Sequence, residues 1–368
     1  MKIPFINFDY QNKFVRDDIL QSIKKLFDSK NYVLGSNILE FEAQYSKINK
    51  SKYSIGVGSG LDALIISLKA LGVGKGDEVI IASNAYIASW LSVSNVGAKI
   101  IPIEPDTDTF NIDVNKIEEK VTSKTKVIMP VHLFGQSCEM DKIMDIAKKY
   151  NLYVVEDNAQ AHLAKFNSKN TGTFGDINAT SFYPTKNLGA VGEAGCITTD
   201  DKILKDFAIS YRNYGSSKKY INDIIGTNSR LDEIQACILN IKLKYLEQWN
   251  AQRKSIASKY DTLLSKCEDI KTPKKLDICE HVYHLYVIQT DKRDELQQYL
   301  KQNGIGTSIH YPIPPHLQKA YSNLGYKPGD FPIAEKLADT SLSLPIYPGL
   351  IDSEIEHICD KIIKFFKN

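Results

Sequence analysis

The feature that most constrains the fold is an alternation of short apolar runs with helical patterns between about residues 53 and 201. Glu78–Ala82 and Lys99–Ile103 have the length and β-branched content of buried strands, whereas residues 61–71 carry leucine and isoleucine at helical spacing. Strands that alternate with helices are typical of α/β domains with a largely parallel sheet. We therefore predict an α/β fold, with further strands at 54–57, 127–131 and 153–155 and a helix near 140–150.

The pattern changes after about Gln235. An amphipathic stretch leads into a charged helical segment that ends near Ser265, followed by a strand at 284–288, a helix at 294–303 and an extended, proline-rich segment at 305–315. A chain of 368 residues is also longer than one ordinary core requires. We predict two domains, a large one over 1–245 and a smaller C-terminal α/β domain over 246–368.

The composition excludes several classes of protein. Lys+Arg 46 against Asp+Glu 44 leaves a net charge of +2, and no basic run is interleaved with aromatics as in a nucleic-acid groove. No window approaches the ~18 consecutive apolar residues of a membrane span, and the N-terminus lacks the apolar stretch of a signal peptide. The six cysteines form no Cys-x-x-Cys pair, which indicates reduced thiols. We expect a cytoplasmic protein that binds neither nucleic acid nor membrane.

One lysine and one carboxylate point to a specific chemistry. Lys186 follows Ser181 and precedes glycines at 189, 192 and 195, while Asp157 comes just past the end of a predicted strand. A lysine amine forms a Schiff base with an aldehyde, and a carboxylate can hold the pyridinium nitrogen of pyridoxal phosphate (PLP) protonated. Taken singly, Lys186 reads as a solvated lysine and Asp157 as a helix N-cap. Together they favour PLP chemistry.

A glycine-rich turn at 56–60 joins a predicted strand to a predicted helix, where backbone amides can hold a phosphate. A tight turn that needs glycine for its backbone conformation explains it equally well. The third glycine of a dinucleotide fingerprint is replaced by Leu61, which argues against an NAD-dependent dehydrogenase. Tyr86 can be either a core or a cofactor-stacking residue. His281 and His284, spaced for opposite faces of a strand, are interpreted as structural rather than as metal ligands.

These residues, in this order, resemble the DegT/DnrJ/EryC1/StrS family of PLP-dependent sugar aminotransferases, over nearly the whole chain. The segments that carry the resemblance are 58–64, 76–80, 131–135, 156–160, 181–189, 212–215 and 226–236. The resemblance implies fold type I, the aspartate aminotransferase fold, with a large mixed, mostly parallel sheet domain and a smaller C-terminal domain.

The resemblance also implies roles for individual residues. Lys186 would form the Schiff base, Asp157 would pair with the pyridine nitrogen, Gln160 would contact the 3-oxygen side of the ring, and Tyr86 would stack on its face. The 5′-phosphate would be held by Ser59, by the amides of Gly60 and Leu61, and by Ser181. Asn228 would reach that phosphate from the partner subunit of a homodimer. The substrate side would consist of Tyr183, Arg230, which also crosses the interface, His310 and Tyr311.

The sequence departs from the family pattern at two positions. Leu61 stands where many relatives have threonine, which removes one hydroxyl contact to the phosphate, and Ala194 stands where a glycine is usual. The added methyl group at Ala194 should be mild unless that position needs a positive φ.

The form of the lysine motif, 183–190, is similar to members that aminate C3 of a nucleotide-linked 3-keto sugar. We therefore expect transfer of an amino group from L-glutamate to a dTDP-3-keto-6-deoxyhexose, for a surface polysaccharide or glycoconjugate. The alternatives are a 4-keto or UDP-sugar aminotransferase and a non-catalytic PLP-binding regulatory protein. Sugar deoxygenation is disfavoured because relatives with that activity generally replace the lysine by histidine.

Overall fold

The structure is a computed structural model that describes residues 1–367. Its helices are α1 (Asp9–Ser29), α2 (Ser36–Asn49), α3 (Gly60–Ala70), α4 (Ile87–Asn95), α5 (Met140–Tyr150), α6 (Lys202–Tyr211), α7 (Glu233–Leu243), α8 (Leu246–Leu264), α9 (Arg293–Gln302), α10 (Pro332–Thr340) and α11 (Asp352–Lys367). Its strands are β1 (Tyr53–Val57), β2 (Glu78–Ala82), β3 (Lys99–Ile103), β4 (Thr125–Met129), β5 (Tyr153–Val154), β6 (Lys165–Phe166), β7 (Lys169–Asn170), β8 (Asn178–Ser181), β9 (Gly195–Thr199), β10 (Ser216–Lys218), β11 (Ile221–Asn222), β12 (Cys279–Glu280), β13 (Tyr286–Gln289) and β14 (Ser341–Leu344).

The central sheet is mixed but mostly parallel. One part has the strand order β3-β2-β4-β5 and is parallel throughout, and the other has the order β1-β9-β8 and is antiparallel. Asp157 joins the two parts, because it forms parallel bridges to Val131 on one side and to Ala179 on the other. The combined order is β3-β2-β4-β5-β8-β9-β1, in which β9 alone runs opposite to the other six strands.

This topology places the candidate residues at one edge of the sheet. Carboxyl ends of parallel strands meet at a common edge, and ligands of α/β proteins bind there. Asp157 follows β5 and Ser181 ends β8, so both lie at this edge. Ser59 is the N-cap of α3, with its hydroxyl accepting a hydrogen bond from the Asp62 amide at 3.1 Å. The predicted α/β class with a mainly parallel sheet is confirmed.

The C-terminal part has its own small sheet and apolar core. Antiparallel β13 and β14 are extended by bridges from Lys271 to Gln289 and from Ser308 to Ser343. Buried side chains of α8, α9 and α11 pack in one cluster with this sheet. Ile3, from the other end of the chain, is fully buried in the same cluster and pairs with Ile305.

Several predicted elements have other bounds in the structure: the strand predicted at 127–131, for example, is β4 at Thr125–Met129. The helical pattern that leads toward Ser265 is divided into α7 and α8 by a break at Lys244 and Tyr245. The strand predicted from His284 begins two residues later, because His284 lies in a bend and bonds through its side chain instead. The division at 245/246 remains a prediction. No helix within residues 1–367 is long and apolar enough to cross a membrane.

Candidate active site

Asp157 is held rigidly at the sheet edge. Its carboxylate accepts a hydrogen bond from the Ser89 hydroxyl at 2.7 Å and one from the Ala159 amide at 3.1 Å, and the residue is only 5% exposed. Its own amide donates to the Pro130 carbonyl, and its carbonyl accepts from the His132 amide. The side chain is therefore fixed in one orientation by strands on both sides.

Lys186 lies in the loop after β8, within electrostatic reach of Asp157. Withdrawal of the amine from water lowers the pKa of Lys186 to about 8, while the Asp157 carboxylate acts in the opposite direction. The unprotonated amine is therefore more populated near neutral pH than in an ordinary lysine. An amine in this state can act as a nucleophile toward an aldehyde and as a base.

Two glycines, Gly60 and Gly195, allow the segments that carry Ser59 and Ser181 to approach closely. A Cβ atom on Gly60 would lie 2.6 Å from the Ser181 Cβ, and one on Gly195 would lie 2.2 Å from the Ser59 carbonyl oxygen. The start of α3 therefore packs directly against the end of β8 and the start of β9. Two hydroxyls and the N-terminal amides of α3 converge here, which is the chemistry of a phosphate site. Leu61 is the second residue of α3 and offers its amide to the same place.

Two aromatic rings, those of Tyr86 and Tyr311, pack together beside Gln160. The rings of Tyr86 and Tyr311 lie 5.0 Å apart at an angle of 32°, and Tyr86 is 48% exposed. The Gln160 side chain donates to the Tyr311 hydroxyl at 3.1 Å and accepts from the Phe134 amide at 2.7 Å. Burial raises the pKa of Tyr311 well above its usual range. The sequence left open whether Tyr86 is a core residue or a cofactor-stacking residue. Because the side chain is about half exposed, Tyr86 is not a core residue.

Asn228 and Arg230 lie beside Ser59 within the same chain. They line a cleft of 420 Å³ together with Tyr32, Val33, Gly58, Ser59, Asp62, Glu193, Ser229, Leu231 and Asp232. The Arg230 guanidinium donates to the Asn213 side chain at 2.9 Å and lies over the Tyr214 ring at 5.5 Å. Their predicted action across a subunit interface stays a prediction.

The remaining predicted substrate residues flank Lys186. Tyr183 is 46% exposed, and its carbonyl accepts the Lys186 amide hydrogen bond at 2.8 Å. His310 bonds through Nδ1 to the Ser343 hydroxyl at 2.8 Å. Burial, reinforced by the charge of Lys186, lowers the pKa of His310 to about 4, so the ring is neutral at physiological pH.

Sequence reasoning missed a buried polar network behind Lys186. His162 accepts the Leu188 amide at Nδ1 and donates from Nε2 to the Ser181 carbonyl, at 2.9 Å each. Burial and the charge of Lys186 lower the pKa of His162 to about 3, which keeps the ring neutral and this tautomer fixed. The position of His162, two residues after Gln160 in a predicted site motif, is the signal that could have identified it.

The sequence also did not reveal the pair of His132 and Glu156, which lies next to Asp157. The fully buried Glu156 carboxylate accepts from His132 Nε2 at 2.8 Å and from the amides of Gly172, Phe174 and Gly175. His132 Nδ1 accepts the Cys138 amide, so Nε2 carries the proton. Glu156 therefore anchors the backbone next to Asp157 and is not free for catalysis.

The residues present fit PLP. The fit is shown by the lowered pKa of the Lys186 amine, by the fixed carboxylate of Asp157 and by the hydroxyl and amide cradle that a Cβ on Gly60 would fill. Ala194, at the position where relatives have glycine, is buried and lies outside the left-handed region. The fold and the site together are those of a PLP-dependent enzyme of fold type I.

Comparison with known proteins supports the same class of enzyme. The sequence model of the DegT/DnrJ/EryC1/StrS aminotransferase family matches residues 14–363. The dTDP-3-amino-3,6-dideoxy-alpha-D-galactopyranose transaminase of Aneurinibacillus thermoaerophilus is 47% identical over 363 residues, 99% of each chain. A pleiotropic regulatory protein of Geobacillus stearothermophilus is 42% identical over 370 residues and the full length of both chains. The UDP-N-acetyl-3-dehydro-alpha-D-glucosamine 3-aminotransferase of Acidithiobacillus ferrooxidans is 38% identical over 98% of this chain and 97% of its own.

Two solved structures extend the likeness to three dimensions. S. venezuelae DesV, in complex with a ketimine intermediate, superimposes with a TM-score of 0.98 at 38% identity, over 100% of this chain and 99% of its own. NtdA from Bacillus subtilis, with the cofactor pyridoxamine phosphate (PMP) bound, gives a TM-score of 0.91 at 33% identity, over 99% of this chain and 85% of its own. The chain belongs to the DegT/DnrJ/EryC1/StrS aminotransferase family and is a PLP-dependent aminotransferase.

Proposed function

We propose that the protein transfers the amino group of L-glutamate to the C3 keto group of a dTDP-linked 3-keto-6-deoxyhexose. The product is a dTDP-3-amino-3,6-dideoxyhexose for surface polysaccharide or glycoconjugate synthesis. The observation that carries the proposal is the convergence of Lys186 and Asp157 at the sheet edge of a chain 47% identical to a named dTDP-sugar C3 transaminase. The form of the lysine motif supports the same position of amination.

Some residues of the site would bind the cofactor, and Lys186 would transfer the proton. The cofactor, when bound, supplies an electron-accepting ring that stabilises negative charge at the reacting carbon. Asp157, held by Ser89, would keep a proton at the ring nitrogen, and Ser59, Ser181 and the amides at the start of α3 would hold the phosphate. Gln160 would face the 3-oxygen, and Tyr86 would cover the ring.

Lys186 moves the proton in both halves of the reaction. With the donor bound, its Nζ would take the proton from the donor α-carbon; with the keto sugar bound, it would deliver a proton to the sugar carbon that gains the amine. An amine with a pKa of about 8 suits both directions, because neither of its protonation states dominates completely near pH 7 to 8. His162 keeps the loop that carries this amine against the Ser181 carbonyl.

The 420 Å³ cleft next to Ser59 is the entry we assign to the sugar nucleotide. Arg230 and Asn228 face it with donor groups, and Tyr183, beside Lys186, would line the sugar. The exposed apolar side chains of Tyr32, Val33 and Leu34 lie next to this cleft. We infer that a second copy of the chain covers them and continues the cleft across the interface, so that Asn228 and Arg230 of each chain act in the partner's site.

Two alternatives to the proposed function are each supported by a specific observation. The similarity to a UDP-sugar 3-aminotransferase supports a UDP-linked substrate. The similarity to a protein named as a pleiotropic regulator supports a PLP-binding regulatory role. Retention of Lys186 with a lowered pKa, and of Asp157, Gln160, Ser181 and Asn228, favours the enzyme.

The test supplies purified protein, PLP and L-glutamate with a panel of 3-keto and 4-keto dTDP- and UDP-sugars. Mass spectrometry and NMR then locate the new nitrogen. We expect amination at C3 of the dTDP-3-keto-6-deoxyhexose, and none with Lys186→Ala. Spectral conversion of bound PLP by glutamate alone separates a transaminase from a protein that only binds the cofactor. Full activity of Lys186→Ala would refute the assignment of Lys186.

A further inference from the structure

A second, smaller cavity has Lys186 among the residues that line it. Its volume is 50 Å³, several times the ~10–15 Å³ that one water molecule occupies on this measure. It is lined by Phe5, Ile6, Asn7, Phe8, Gln11, Thr185, Lys186, Arg253, His284, Leu285, His310, Ile346 and Tyr347. It shares no lining residue with the 420 Å³ cleft. It has room for a group of carboxylate size but none for a sugar nucleotide.

Arg253 gives this cavity a positive charge without a counter-ion. The residue is 6% exposed, and its Nη1 donates to the carbonyls of Tyr283 and His284, both at 3.2 Å, and of Ile346 at 2.8 Å. Its Nε has no hydrogen-bond partner among the described residues. No carboxylate of residues 1–367 pairs with the guanidinium. Burying a cation without an anion costs free energy, so an anionic ligand at this place would stabilise the guanidinium.

The other polar groups in this cavity add no negative charge. His284 and His310 are neutral at physiological pH, because burial and the nearby cations lower the pKa of both imidazoles. Asn187 donates from its amide nitrogen to Asn250 and to the Val282 carbonyl, so its oxygen accepts the proton on His284 Nδ1. The arginine and the lysine therefore face a cavity whose other members are neutral.

We propose that this cavity binds a carboxylate group of the amino donor, with Arg253 as its counter-ion. The proposal rests on the proposed function and adds a donor subsite to it. A carboxylate at Arg253 places the amino acid against Lys186, whose Nζ must reach the donor α-carbon. Arg253 is a substrate-binding residue for the donor half of the reaction only. The keto sugar, which carries no carboxylate, makes no use of it.

The experiment compares the two half-reactions in Arg253→Gln, each followed by the cofactor spectrum. One is conversion of the PLP enzyme by L-glutamate, and the other is conversion of the PLP enzyme by the dTDP-amino sugar product. We expect the glutamate concentration for half-maximal rate to rise on the order of 10- to 100-fold, which corresponds to the loss of a hydrogen bond to a charged group. The same concentration for the amino sugar should stay within about threefold of the wild-type value. Equal loss in both halves, or no change in either, would overturn the proposal.

The matched control is Arg293→Gln. Arg293 is also buried and donates to backbone carbonyls, of Ala338 and Ser341, but it pairs with Asp294 and does not line the cavity. It should leave the ratio of the two half-reactions unchanged. If Arg253→Gln does not fold, the wild-type enzyme still gives an answer. Glutarate, which has both carboxylates but no amine, should compete with L-glutamate, whereas its uncharged diamide should not.

Equal inhibition by the diamide, or no inhibition by glutarate up to high concentration, would also overturn the proposal. A wild-type enzyme that reacts with the amino sugar but not with L-glutamate refutes the proposed donor, and with it the basis of this subsite. A wild type that reacts with L-glutamate while Arg253→Gln loses both halves equally refutes the subsite and leaves the proposed function intact.

Discussion

The protonation state of Lys186 is set by two opposing influences that mutation can separate. Loss of water around the amine lowers its pKa, and the Asp157 carboxylate raises it. Asp157→Asn removes only the second influence, so the pKa of Lys186 in the apoenzyme should fall below its wild-type value of about 8. The pH dependence of borohydride-trapped modification by a small aldehyde measures this directly, because only the free amine reacts. Asp291→Asn, a surface carboxylate in the other part of the chain, is the control; an unchanged or higher pKa in Asp157→Asn would contradict the interpretation.

At the residue scale, the sequence identified groups with a distinctive chemistry and missed those that orient them. Lys186 and Asp157 stand out because an amine and an acid at motif positions have few structural explanations in combination. Ser89, which bonds the Asp157 carboxylate, comes from a helix far along the chain and has no local pattern. Arg253 is likewise one charged residue in a charged helical segment, and only the packed structure shows that it is buried. Such roles depend on long-range contacts that no short window of sequence contains.

At the scale of elements, the junction of β9 with α3 shapes the phosphate cradle. A Cβ atom at Gly195 would lie 2.2 Å from the Ser59 carbonyl oxygen and 2.8 Å from the Gly60 nitrogen, so the two backbones can approach this closely only with glycine. Gly195→Ala should displace the start of α3 and weaken PLP affinity by about tenfold or more, as the loss of one charged hydrogen bond would. Equilibrium dialysis of the apoenzyme against PLP gives the measurement. Gly74→Ala, where a Cβ would meet only the Val96 carbonyl at 3.8 Å, should bind PLP normally.

The predicted elements were most accurate for strands formed by runs of mostly buried apolar residues. Glu78–Ala82 and Lys99–Ile103 are strands with the predicted bounds, because runs of apolar β-branched residues in a central parallel sheet have no competing explanation. The break between α7 and α8 at Lys244 and Tyr245 was not predicted, since the helical spacing of apolar residues continues through it. The pairing of Ile3 with Ile305 was also beyond prediction, as it joins opposite ends of the chain.

At the scale of the whole molecule, buried neutral histidines should make folding sensitive to acid. Burial lowers the pKa of His162 and His281 to about 3 and that of His310 to about 4, against an ordinary value of 6.5. Below pH 6.5 the unfolded chain therefore binds protons that the folded chain does not, and the stability falls as the pH decreases toward 4. Each group contributes up to about 1.4 kcal/mol per pH unit to the free energy of unfolding. Urea denaturation between pH 7 and pH 5 measures this slope, which His281→Phe should reduce; an identical slope in that variant would count against the histidines as the cause.

The assembly prediction can be tested by combining two inactive chains. If Asn228 and Arg230 complete the partner's site, a dimer of Lys186→Ala with Asn228→Ala/Arg230→Ala contains one site with Lys186 from one subunit and Asn228 and Arg230 from the other. Random association in a two-fold dimer then restores about a quarter of the wild-type sites, although each variant alone is impaired. If these residues serve their own chain, as their shared cleft with Ser59 also permits, every site in the mixture carries a defect and no activity returns. Unfolding and refolding the mixed chains before the assay allows exchange, and Val33→Asp, which places a charge on the exposed apolar segment at 54% exposure, should prevent both dimer formation and recovery of activity.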